Sequence, residues 1–278
     1  MSLVKMKYLL SEAEEENKAV GAFSVGNMEM VIGAVRAAEE TETPIILQIA
    51  EKRMKQSPLA LMAPMMIEAA KNSTVPIAVH LDHGITFECI DKCLEYGFTS
   101  VMLDASMLPF DKNIEMTKEV MKKAGKYGAT VESELGVIGG SEGDNLKHDI
   151  VCTDPEMAKK FASETDIDCL AVAIGNAHGN YPVSPELRFD VLEKINEKVD
   201  IPLVLHGGTG ISAEQFRKAI SLGVRKINIA TASFDALAYA AKKYTSSVEK
   251  PDYFKLSPCE ADAVYENVKK HIMIFNNK

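Results

Sequence analysis

His83, His178 and His206 each follow an apolar run that could be a buried strand: IAVHLDHG, CLAVAIGNAHG and IPLVLHGGTG. The chain has 278 residues and six histidines, and these three meet a glycine or a carboxylate where such a run stops. Imidazoles delivered from separate strand ends are how a sheet scaffold holds a divalent metal, and zinc favours nitrogen ligands of this kind. His80 lies three residues before His83, where strand alternation predicts the opposite face, so it reads as a packed or supporting histidine. His148 and His271 have no comparable setting.

Carboxylates stand beside these histidines. Asp82 precedes His83 directly and is placed either to orient a ligand or move a proton, or to cap the next helix as an Asx turn. Asp104 closes SVMLDAS, and Glu132 and Glu134 close VESELG. Period two puts both glutamates on one face, where they need a cation or a partner; Lys226 offers a plain salt bridge as the alternative. Gly207, Gly208, Thr209 and Gly210 follow His206, and Asn228 to Thr231 end a later run. Exposed amides in such turns suit a phosphate.

The elements that must position these groups alternate regularly. Apolar, β-branched runs cover 21–24, 44–49, 76–81, 100–103, 129–132, 169–174, 202–205 and 224–229. Helical patterns lie between them at 29–39, 60–71, 87–96, 113–126, 155–164, 185–198 and 213–222, followed by 234–243 and 261–274. This alternation predicts βαβ units and a parallel sheet, and eight units predict an α/β fold of the (β/α)8 TIM-barrel type. A doubly wound sheet is weaker, because chemistry-bearing residues end at least five runs and only a barrel brings that many ends together. The whole chain, 1–278, is expected to be one barrel domain with a C-terminal helical extension. The glycine-rich segment 136–150 is a candidate lid, and 246–260, with Pro251 and Pro258, is expected to separate the last two helices.

Composition narrows the partners. The net charge of −9 opposes nonspecific nucleic-acid binding but does not oppose an anionic substrate met by a metal and amides. No run approaches the about 20 apolar residues of a membrane span, so no membrane partner is expected. The five cysteines form no CxxC pair, and no leader-like segment opens the chain. Reduced thiols in a cytoplasmic protein are therefore expected.

The blocks HLDHG (80–84), YGFTSVMLDAS (96–106), ESELGVIGG (132–140), AIGNAHGNY (173–181) and LVLHGGTGI (203–211), with GAFSVGN and KINIAT at either end, resemble the class II, zinc-dependent fructose/tagatose-bisphosphate aldolase family nearly end to end. The resemblance implies a homodimer, or a dimer-based tetramer, that cleaves a phosphorylated ketose reversibly. It implies that His83, His178 and His206 bind catalytic Zn2+, that Asp104 and Glu134 attend a second or displaced metal position, and that Asp82 and Glu142 carry protons. It also implies that Asn27, Gly179, Gly207, Gly208, Thr209, Asn228 and Thr231 surround the substrate. A monovalent cation, Na+ or K+, near the phosphate is a further candidate. The chemistry fits these residue types: aldol cleavage leaves negative charge on a former carbonyl oxygen, which a Lewis acid held by neutral imidazoles stabilises.

Several positions depart from the family pattern. Ala230 matches tagatose-type members, whereas fructose-type members carry Asp or Asn. Pro182, Ser141 and Ser24 replace a lysine, an acid and an asparagine. Ala50 and Glu51 replace a serine or glycine, and KPDYF puts Asp252 where many relatives have a phosphate-binding arginine. Arg53, Lys55 and Lys250 are candidate replacements. The leading expectation is a tagatose or fructose 1,6-bisphosphate aldolase; the alternative is a ketose 1-phosphate or deoxy-phosphogluconate-type substrate that yields dihydroxyacetone phosphate and a different aldehyde. A metal-dependent hydrolase on the same barrel would need a bridging lysine or an HxH pair after the first strand, and GAFSVGN has neither. A noncatalytic barrel would not need Asp82 and Glu142 beside a complete histidine set.

Overall fold

A computed structural model describes residues 2–140, 151–180 and 185–276. Eight parallel strands close a barrel: β1 (Val20–Ser24), β2 (Ile45–Ala50), β3 (Ile77–Gly84), β4 (Ser100–Leu103), β5 (Thr130–Leu135), β6 (Cys169–Val172), β7 (Leu203–Leu205) and β8 (Val224–Ile229). Each strand pairs with its neighbours in the chain, and β8 returns to β1, with Val20 opposite Lys226. The expected TIM barrel is present.

The helices are α1 (Met6–Glu15), α2 (Met28–Glu40), α3 (Leu59–Asn72), α4 (Phe87–Tyr96), α5 (Phe110–Gly125), α6 (Pro155–Thr165), α7 (Phe189–Asn196), α8 (Ala213–Ser221), α9 (Thr231–Ser247) and α10 (Tyr253–Phe275). Sequence reading assigns no element before residue 21, yet α1 buries Met6, Leu9, Leu10 and Ala13, a spacing that puts one apolar stripe on a helix. This stripe packs on Val20, Ala22, Ile46, Ala78, Cys169, Ala171 and Val204 and seals the N-terminal end of the barrel. Glu14 anchors the helix by a two-point pair with Arg225, at 2.8 and 2.9 Å.

Two boundaries differ from expectation. The break expected through residue 260 is short, because Asp252 caps α10 by accepting from the Phe254 amide at 2.9 Å and the helix runs through Pro258. A proline removes one hydrogen bond, and packing outweighs that loss. At Gly33 of α2, an added Cβ would lie 2.5 Å from the Ala261 carbonyl oxygen, so the absence of a side chain lets α10 lie directly on α2.

Strand alternation sorts the barrel residues. Ile77, Val79 and Leu81 pack outward in the large apolar layer under the helices, while Ala78 points to the barrel axis. The axis is apolar near α1. Toward the C-terminal end it holds the buried polar groups Gln48, His80, Asp82, Glu132, Glu134, Lys226 and Asn228. Active sites of this architecture lie at that end.

Candidate active site

The three predicted histidines meet at the C-terminal mouth. Ring centroids of His83 lie 4.7 Å from those of both His178 and His206, with interplanar angles of 77° and 76°. One nitrogen from each ring falls within 4.8 Å of the others, and His83, Asp104 and Glu134 form a second such group.

The three arrive by different routes. His206 follows β7 directly. His83 lies inside β3, where alternation would turn it outward, but its φ is +42° and the β3–β4 register slips between Leu81 and Gly84. This irregularity lets Asp82 and His83, adjacent in sequence, both face the mouth. His178 corrects the expectation that its run is all strand. β6 ends at Val172, and His178 lies six residues beyond it, in a two-residue pairing of Ala177–His178 with Gly139–Gly140. Gly207 makes room for that segment: its φ is +65°, and an added Cβ would lie 2.1 Å from the Ala177 oxygen.

Hydrogen bonds fix the rings. His83 Nδ1 lies 2.8 Å from Asp104 Oδ2, so Nε2 faces the cluster. His206 Nε2 lies 2.8 Å from Glu132 Oε1, so Nδ1 faces the cluster, 3.1 Å from His83 Nε2. Carboxylates that hold the far nitrogen in this way orient metal-binding imidazoles. Asp82 is fully buried. It accepts from Gln48 Nε2 at 3.0 Å and Asn228 Nδ2 at 3.0 Å. The helix-cap alternative for Asp82 falls away, since Thr86 caps α4.

The electrostatics suit a dication. Burial lowers the basicity of His83, yet Asp82 and Asp104 outweigh it and hold the ring well above the usual histidine range. Burial and the neighbouring His83 push His178 and His206 down, toward the neutral form that ligates metal. Burial and Asp104 raise Glu134. Glu134 Oε2 is buried with no hydrogen-bond partner among the described residues, and it lies 3.5 Å from His206 Nδ1. Three imidazole nitrogens and an unmatched carboxylate oxygen are a donor set for a divalent cation, so the residues fit the metal that the sequence implies.

For Glu132 the salt-bridge reading is the one seen, alongside its bond to His206. Its second oxygen lies 2.8 Å from Lys226 Nζ, with both side chains fully buried. Removing one partner of such a pair costs roughly 3–5 kcal/mol. His80 lies below, also fully buried, bonded to Ser100 at 2.9 Å. The opposite face expected for it is not seen: His80 shares the barrel interior with Asp82 and lies 3.6 Å from Glu132, because it is His83 that leaves the alternation.

Among the remaining candidates, Gly179, Gly207, Gly208, Thr209, Asn228 and Thr231 line one small pocket with His178 and Ala230. Asn27 caps α2 at the Met30 amide, 3.0 Å away. It lines an adjacent cavity with Arg53, Ser57 and Phe234. Glu142, Ser141, His148, Pro182 and most of the candidate lid lie outside the described residues.

Sequence and fold comparisons agree with this geometry. Residues 4–278 match the family model described as fructose-bisphosphate aldolase class-II. The chain belongs to the class II fructose-bisphosphate aldolase family. Fructose-bisphosphate aldolase of Geobacillus stearothermophilus is 42% identical over 246 residues, 87% of this chain and 86% of the relative. The Staphylococcus aureus enzyme is 38% identical over 279 residues, 99% of this chain and 98% of its own. The YdjI aldolase of Escherichia coli K12 superposes with a TM-score of 0.89 at 36% identity, over 98% and 97% of the two chains. This aldolase is a metal-dependent enzyme, and no helix among its described residues is long and apolar enough to cross a membrane.

Two supporting groups carry no clear sequence signal. Glu51 accepts from the Ile85 and Thr86 amides at 2.6 and 3.0 Å and so braces the turn that follows His83. Asn176 reaches from the turn before His178 to the His206 carbonyl at 3.1 Å.

Proposed function

We propose that the protein cleaves tagatose or fructose 1,6-bisphosphate reversibly to dihydroxyacetone phosphate and glyceraldehyde 3-phosphate. The observation that carries this reading is the placement of buried Asp82 beside a three-histidine cluster that opens on a glycine-lined pocket. In this reading His83, His178 and His206 hold Zn2+, and Asp104 and Glu134 attend a displaced metal position. The metal supplies Lewis-acid polarisation of the ketose carbonyl. Asp82 takes the proton from the C4 hydroxyl in cleavage and returns it in condensation; its bonds from Gln48 and Asn228 aim the carboxylate. Glu142 serves the carbon next to the carbonyl.

The 1-phosphate is assigned to Gly179, Gly207, Gly208, Thr209, Asn228 and Thr231. Support comes from the start of α9: Ala230 provides no side-chain cap, and Thr231, the first residue of the helix, lines this pocket beside the glycine turn. Na+ or K+ beside that phosphate, and a homodimer, belong to the same reading. Asn27 is assigned to the far end of the substrate. There Arg53 stacks over Phe234 at 5.6 Å in the cavity shared with Asn27. The charge of Lys52 is felt at His178. Lys55 instead faces an outer cavity with Met54, Cys89 and Lys92. Arg53 and Lys52 are therefore the better candidates for the second phosphate.

A second reading, a ketose 1-phosphate or deoxy-phosphogluconate-type substrate, is favoured by Asp252, which caps a helix where the family arginine is expected. One assay separates the two. Cleavage of both bisphosphates and their 1-phosphates is measured with zinc and after EDTA. EDTA-sensitive preference for a bisphosphate supports the first reading; equal cleavage without the 6-phosphate sinks it.

A further inference from the structure

The barrel axis holds a lysine that the proposed chemistry does not use. Lys226 is completely buried. Its Nζ lies 2.8 Å from Glu132 Oε2 and 2.7 Å from Asn228 Oδ1. An ammonium has three donors and no acceptor, so it tolerates only acceptors at close range. This one-sidedness has consequences in two directions.

Toward Asn228, the oxygen of the amide must face the lysine, because a flipped amide would aim its N–H groups at the ammonium. The Nδ2 group is then the one that reaches Asp82 Oδ1, at 3.0 Å. The amide therefore always donates to Asp82. Toward Glu132, the ammonium holds one carboxylate oxygen at 2.8 Å, which turns the other to His206 Nε2, 2.8 Å away. With that oxygen aimed at Nε2, the ring is held so that Nδ1 faces the cluster, 3.1 Å from His83 Nε2. One side chain thus links His206 and Asp82, which sit on different strands, through a continuous hydrogen-bonded chain across β8 and β5.

We propose that Lys226 is a positioning residue that sets both the His206 nitrogen turned toward the metal and the amide face turned toward Asp82. This rests on the reading of His206 as a ligand and Asp82 as a proton carrier. A purely structural counter-ion to Glu132 would neutralise charge without directing either neighbour.

The test uses the full-length chain and Lys226→Met, which keeps length and removes charge and donors. Zinc affinity is measured by chelator competition, and kcat and KM on fructose 1,6-bisphosphate are measured at saturating zinc. Zinc affinity is expected to fall about 10–100-fold, as for other groups that orient a ligand. The turnover kcat should fall about 100-fold through misaimed Asp82, with KM changed far less. In an Asn228→Ala background the additional kcat loss should vanish while the zinc loss persists, because only the first path runs through that amide.

Lys226→Met combined with Glu132→Leu removes both charges and covers the case in which the single variant does not fold. The double variant is expected to fold and to remain weak in zinc and slow. Recovery of zinc affinity and turnover in the double variant, or a single variant that folds with both unchanged, overturns the proposal. The zinc measurement needs no activity, so it fails separately from the substrate reading, which falls instead if Asp82→Ala is fully active.

Discussion

The two sides of the site are built differently. On one side His83, Asp82 and His206 rise from β3 and β7 and are cross-braced by Glu132, Lys226, Asn228 and Gln48, every one of them buried. On the other side His178 stands on a short two-residue pairing beyond β6, flanked by Gly179 and the glycine turn after His206. Groups that must hold one geometry through every turnover sit on strands with their partners fixed. Groups past which a substrate must enter and leave sit on connecting segments. In the proposed function a metal would join the two sides, since the third imidazole of the cluster comes from the loop side.

The largest expected effect tests that division directly. His206→Ala and His178→Ala should each lose zinc and essentially all turnover. They should differ in stability: His206→Ala leaves Glu132 short of a partner in the barrel core, at a cost of about 1–3 kcal/mol, whereas His178→Ala disturbs only a loop. Metal analysis and thermal unfolding of the two variants check this, and equal melting temperatures would erase the distinction between braced and loop-borne ligands.

Asp82→Ala comes next. Zinc should stay bound, because the ligand rings keep their own partners Asp104 and Glu132, and kcat should fall about 10²–10⁴-fold. Joint loss of zinc and turnover would mean that the strand side acts as one unit. A smaller change is expected for Asp104→Asn, which weakens the hold on His83 Nδ1 and should reduce zinc affinity about 10–100-fold. Chelator competition against the parent protein measures it.

The braced side was also the more legible in sequence, though not in all respects. Period-two alternation correctly turns Glu132 and Glu134 toward one axis, because strand geometry leaves no freedom there. It fails at His83, which reaches the site through a left-handed φ of +42° that no glycine at the position announces. It also fails at His178: the apolar run extends to residue 174, but β6 stops at Val172 and Gly175 turns the chain at φ +97°. The salt bridge of Glu132 to Lys226 was legible as an alternative, but its second oxygen's bond to His206 was not. The chain of bonds through Lys226 could not be read from sequence, since it depends on which side chains stand opposite each other across β5, β8 and β3. Glu51 was legible only as a departure from the family pattern; its role in bracing the turn after His83 appears with the fold.

The smallest expected effect lies on the loop side. Thr209, in the turn after β7, accepts from the Ala232 amide at 3.0 Å. Ala232 is in the first turn of α9, where Ala230 cannot cap. The hydroxyl therefore provides a cap from a different loop and ties the two segments around the proposed phosphate pocket together. Thr209→Ala should cost about 1 kcal/mol of local order, as lost caps do. That corresponds to about a fivefold rise in KM for the bisphosphate, with kcat unchanged if the contact serves ground state and transition state equally. Steady-state kinetics at saturating zinc decide it. A parallel fall in kcat would show that the loop side also aims the reacting carbons, and the boundary between the braced and the loop-borne halves would then have to be drawn closer to the pocket.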